Sequence, residues 1–150
     1  MAAFEDAYDK LTNAREALRR RDYPTAITSS QECIELSIKA LFEKLEVPYE
    51  KRHDIAEDYL PTESKKDPYQ ISLKKLEEIK CNEDIDRIKL CLARARVLAK
   101  LLAGIKDIVK YGTLGISARN LFSTTELQNL VGSIVKNVGY LHSDLVASTC

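Results

Sequence analysis

The sequence predicts an all-α protein, an up-and-down antiparallel bundle of four long helices with one or two short ones. Apolar residues recur at spacings of three and four along five separate segments. Only 5 Gly and 4 Pro occur in 150 residues, too few to punctuate the many turns of an all-β fold. Ser123-Thr124-Thr125-Glu126 is an S-x-x-E capping box, a signature of a helix start.

Phe4, Ala7, Leu11, Ala14 and Leu18 fall on one face of a first helix, which the basic run Arg19-Arg20-Arg21 closes on the side its dipole prefers. A second helix starts at Asp22 or Tyr23, with Pro24 tolerated in its first turn. Its stripe is Ile27, Ile34, Ile38, Leu41 and Leu45, and Val47-Pro48 ends it. Residues 47–68 are polar and hold Pro48, Pro61 and Pro68, so they form a long connector with at most a short turn from Asp54 to Tyr59. A third, shorter helix over Tyr69–Lys80 turns Leu73, Leu76 and Ile79 inward. Asn82 caps a long fourth helix with the stripe Ile85, Ile88, Leu92, Ala95, Ala99, Leu102 and Val109. Leu98, Leu101, Ile105 and Ile108 widen that stripe, which implies burial on more than one side, in a central helix or a dimer interface. Gly112 and Gly115 end it, and the capping box opens a last helix faced by Leu127, Leu130, Ile134, Val138, Leu141 and Leu145.

Composition bounds the function. A chain of this length fits one domain, 1–150, with a core that stands without metal or disulfide staples. Lys and Arg number 23, as do Asp and Glu, so no global field draws the protein to nucleic acid or to an anionic membrane. No apolar run approaches the ~18 residues of a membrane span, and the first residues carry no basic start or apolar signal core. A cytoplasmic address is expected. Cys33, Cys81, Cys91 and Cys150 stand far apart, without the paired spacing of a zinc site, so no metal or other cofactor is expected.

Candidates for chemistry are few. His142, near the end of the last helix, suits a cation at a helix C-terminus. His53 sits in Lys51-Arg52-His53-Asp54 inside the long connector. It is either a general base, a phosphate contact or a residue that pins the loop, with Asp54 capping the turn after it. Arg15 and Arg19 to Arg21 form one basic cluster. Arg87, Lys89, Arg94, Arg96, Lys100, Lys106 and Lys110 make the fourth helix basic. Such a helix faces phosphates, or it is solvated and paired with Glu43, Glu77 and Glu78. Glu35 and Lys39 are an i, i+4 pair in the favourable order.

The pattern of the second helix is more specific. Ala26, Gln31, Glu35 and Lys39-Ala40-Leu41 resemble the A…Q…E…K-A-L series of the HEPN family, the higher eukaryote and prokaryote nucleotide-binding domain. His53-Asp54-Ile55 is similar to its H-D-L element, Lys110-Tyr111-Gly112 to its R-Y-G/P step, and Phe122 to Glu126 to the start of its last helix. The resemblance spans roughly residues 5 to 146. It implies a helical bundle, often a homodimer, frequently encoded beside a small nucleotidyltransferase. Many members are toxins of toxin–antitoxin pairs that cut RNA through an Arg followed four to six residues later by His.

This sequence departs from that pair: His53 follows Arg52 directly, and the nearest Arg before His142 is Arg119. The expectation is therefore a non-catalytic, dimeric partner of a nucleotidyltransferase, or a binder of a nucleotide-like ligand or RNA. The ligand-binding residues that the resemblance implies are Lys39, Arg52, His53, Asp54, Lys110 and Tyr111. The alternatives are a metal-independent ribonuclease using His53 as its weak catalytic candidate, and a generic scaffold for protein partners.

Overall fold

The computed structural model describes residues 2–49, 67–79 and 85–148. Among the described residues six helices follow one another: α1 (Ala2–Arg19), α2 (Tyr23–Lys44), α3 (Pro68–Ile79), α4 (Ile85–Tyr111), α5 (Ala118–Leu121) and α6 (Thr125–Ser148). The fold is all-α, as the periodicity predicts, with no strand among the described residues. The connector from 50 to 66, with its Asp54–Tyr59 turn, and the Asn82 cap lie outside the described residues.

Local chemistry sets the α1–α2 hairpin. The Asp22 amide donates to the Ala17 carbonyl at 2.8 Å, and the Arg21 amide to that of Leu18 at 3.1 Å. Together they close a Schellman turn with Arg21 at φ 59°. Asp22 then caps α2, accepting from the Thr25 amide at 3.3 Å, with Pro24 in the first turn. A turn this short forces the two helices to lie antiparallel. α2 ends in a second such turn at Glu46 (φ 56°). There Lys75 of α3 donates to the carbonyls of Leu45 (2.7 Å) and Glu46 (3.2 Å), placing a cation on the negative helix end.

α2 is the helix buried on several sides. It packs against α1, α3, α4 and α6, and its core residues form two faces. Ile27, Ile34, Ile38 and Leu41 make a large one; Ala26, Ser30, Cys33, Ser37 and Ala40 make a small one, all at 2% exposure or less. Small residues let neighbouring backbones approach closely. The wide stripe of α4 implies a central helix or a dimer interface. Within this chain α4 is not the central helix: Leu101 and Ile108 are exposed, at 60% and 38%.

Other inward positions also shift. α3 buries Tyr69, Ser72 and Leu76, while Ile79, its last residue, is exposed. Asp67 sets that phase. Its Oδ1 accepts from the Tyr69 amide at 3.0 Å, so the helix begins at Pro68. Its Oδ2 accepts from Arg96 Nη1 at 2.7 Å, and the Arg96 guanidinium lies 4.8 Å above the Tyr69 ring. Arg96 is thus paired with Asp67 rather than with the glutamates the sequence suggested. On α6, Val131 and Val135 are buried and Leu130 is exposed. Ser123 does not cap that helix. Its hydroxyl donates to the Asn120 carbonyl at 2.6 Å, and the first helical amide bond runs from Gln128 to Thr124. The intervening α5, capped by Ser117, was not foreseen.

Gly112 ends α4 at φ +76°, and a Cβ there would lie 1.9 Å from the Ile116 carbonyl oxygen. Only glycine permits the Thr113–Ile116 turn that returns the chain toward α6.

Asp67 holds α3 to α4 through a cap and a charge-assisted bond at once. Asp67→Ala is expected to lower the unfolding free energy by about 2–3 kcal/mol in urea denaturation. A loss below about 0.5 kcal/mol would show that α3 docks by apolar contact alone.

A candidate ligand groove between α2 and α4

The successive turns of α2 present Thr28, Gln31, Glu32 and Glu35 on one side, at spacings of three and four. Opposite them the end of α4 offers Lys106, Asp107 and Lys110 on its last turns. α1 contributes Lys10 and α5 contributes Ala118. These residues line a groove of about 990 Å³. Lys10 Nζ lies 2.7 Å from Glu32 Oε2, and that hydrogen bond, with the carboxylate's charge, raises the lysine above its ordinary pKa. Glu35 is half-buried one turn further along α2.

The donor set has a definite chemistry. Ammonium groups suit phosphate oxygens, whereas Gln31, Glu35 and the threonine hydroxyls suit hydroxyl and amide groups of a sugar or base. The described lining includes neither His nor Cys, the side chains best suited to move a proton or attack a phosphorus or carbonyl centre near neutral pH. Among the described residues no cluster of three His, Cys, Asp or Glu could hold a metal ion.

The structure brings some of the sequence-predicted residues here. Gln31 and Glu35 of the second-helix series share the groove with Lys110. Tyr111 is beside it, largely exposed, with Lys110 Nζ 5.3 Å from its ring centroid. Lys39, half-buried on α2, is not among the lining residues. Arg52, His53 and Asp54 lie outside the described residues. Lys10, Glu32 and Lys106 were not foreseen as site residues. Lys106 and Lys110 are an i, i+4 pair within the basic run of α4, which was the available signal.

His142 is not the exposed cation that its place near a helix end suggested. It is buried, at 6% exposure, between α2 and α6. Ser37 Oγ donates to the Cys33 carbonyl at 2.8 Å and lies 3.0 Å from His142 Nδ1. With the serine proton spent on the carbonyl, the Nδ1–H donates to Ser37 Oγ, and Nε2 carries the lone pair. Phe4 meets the imidazole edge-on at 6.3 Å and Tyr8 lies tilted at 6.0 Å. Burial pushes the His142 pKa below its ordinary value, and the nearby Arg15 adds to this. Burial also pushes the Cys33 thiol up to about 11, so it is no thiolate. Cys33, Ser37 and His142 are a buried polar strut joining α2 to α6.

With fold and groove in place, the class is a helical bundle with a mixed-charge groove beside its central helix. The HEPN domain family model matches residues 2–85, more than half of the chain, and the protein belongs to the HEPN domain family. No curated protein and no solved structure matches the chain. No helix among the described residues is long and apolar enough to cross a membrane.

The strut makes a pH prediction. The folded state resists protonation of His142, whereas the unfolded chain accepts a proton near pH 6.5. Stability is therefore full above that value and falls as pH drops below it. Urea midpoints at pH 7.5 and 5.5 are expected to differ in this direction, and the difference is expected to shrink in His142→Gln. An equal pH dependence in that variant would assign the effect to other groups.

Proposed function

We propose that this chain is a single HEPN-type domain over residues 1–150, cytoplasmic and without catalysis of its own. It acts as a dimeric partner of a nucleotidyltransferase and holds a nucleotide-like ligand in the α2–α4 groove. One observation carries this reading: Gln31 and Glu35, from the series that resembles the family, face Lys106 and Lys110 across one groove. In this reading Lys106 and Lys110 take the phosphates, and Gln31 and Glu35 take the sugar or base.

The absence of catalysis draws support from two sides. His142 is buried and hydrogen-bonded within the core rather than open to a substrate. The sequence also lacks the Arg-x4-6-His spacing that RNA cleavage by the family's toxins uses. Metal-independent cleavage of RNA requires a base near the 2′-hydroxyl and a cation near the phosphate. The described groove offers lysine cations and carboxylates but no imidazole.

Calorimetric titration with ATP tests the site. Binding is expected in the native protein, with the affinity falling about tenfold in Lys110→Ala and further in Lys106→Ala/Lys110→Ala, as one or two charge-assisted phosphate contacts are lost. An absence of heat with ATP, or an affinity unchanged in the double variant, would overturn the assignment.

A further inference from the structure

α4 carries a second stripe that its own chain does not cover. Leu90, Arg94, Val97, Leu101, Gly104 and Ile108 follow one another at steps of 4, 3, 4, 3 and 4. All six are exposed, Leu90 at 50%, Val97 and Leu101 at 60% each. Alternating steps of three and four make the 3.5-residue repeat of a helix that packs lengthwise on another helix. Most surface helices of a globular protein keep that repeat for the core. On α4 the core face is a different one, made by Ile88, Leu92, Ala95, Ala99 and Leu102.

The stripe is complementary to itself when reversed. In an antiparallel pair with the two-fold axis on the stripe at the height of residue 99, each residue meets the partner position whose number sums with its own to about 198. Val97 then meets Leu101, Leu90 meets Ile108, and Arg94 meets Gly104. The largest side chain of the stripe thus faces the one residue without a side chain, and Asp107 stands one turn beyond that glycine. A parallel pair would instead set Arg94 against Arg94, two like charges in the middle of the seam. Beside the stripe, Val97, Leu98 and Leu101 border a groove of about 500 Å³ whose far wall is Tyr140 and Leu141 of α6. That groove gives a partner's Leu101 a place to insert as a knob. Lys100 flanks the axis, and its four-carbon stem carries the ammonium out to solvent.

We infer that a second copy of this chain docks antiparallel on α4, with Val97 and Leu101 at the centre and Arg94 paired with the partner's Asp107. This inference rests on the dimeric reading above and adds the surface and the register. It also explains the width of the α4 stripe, which one chain leaves partly exposed.

Sedimentation velocity of the full chain tests it. The native protein is expected to be a dimer. Leu101→Glu is expected to sediment as a monomer at the same concentration with an unchanged circular dichroism spectrum, because the side chain is exposed. Arg94→Glu is expected to weaken association about fivefold or more, and Arg94→Glu/Asp107→Arg to restore it. A native monomer would overturn both the dimeric reading and the seam. A dimer that persists in Leu101→Glu would overturn the seam and leave the dimer standing. Failure of the double charge swap to recover association lost in Arg94→Glu would overturn the antiparallel register.

Discussion

The burial of α2 on several sides is the constraint on which the rest of this molecule depends. A helix can be surrounded only if some of its faces let neighbours come close. Ala26, Ser30, Cys33, Ser37 and Ala40 provide such a face, and the isoleucines at 27, 34 and 38 fill the space on another. Serine and cysteine on that small face bring polar atoms into the core. Ser37 answers with bonds to the Cys33 carbonyl and to His142, so the tight approach of α6 carries its own hydrogen-bonding solution. α1 approaches α6 closely as well, where Gly139 leaves room for the Arg15 guanidinium and the Leu11 side chain.

The groove follows from this arrangement. With α2 in the middle, the side of its first half not taken by core packing is left between α1 and the end of α4. The polar residues at 28, 31, 32 and 35 sit there because the helical repeat sets them off from the isoleucine face. Gly112 stops α4 so that Lys106 and Lys110 stand in its last turns, facing α2. Their position also places two cations at the negative end of the α4 dipole, which stabilises the helix.

Much of the fold was legible in the sequence. The α1 and α2 stripes are legible from spacing alone, because long amphipathic helices repeat their signal many times, and the Gly112 stop is legible from the glycine itself. What failed was phase and rank. The inward face of α3 follows the Asp67-Pro68 cap, a helix-start pattern that apolar counting passes over. The capping box at Ser123 lost to a competing bond within the α5 turn. The rank of α2 over α4 was hidden because hydrophobic width marks α4, whereas close packing is marked by small residues, which carry weak hydropathy. For the site, the α2 series and Lys110 were legible through the family resemblance. Lys10 and Glu32 were not, since their juxtaposition depends on how α1 packs on α2 rather than on any local pattern. The buried state of His142 was unreadable for the same reason: its hydrogen-bond partner is 105 residues away.

Amide hydrogen exchange followed by mass spectrometry tests the central place of α2 most directly. If α2 is the hub, peptides from residues 26–42 exchange most slowly in the molecule, at the rate of global unfolding. Faster exchange in α2 than in α4 would contradict this account, because the helix on which the other elements pack cannot open before them.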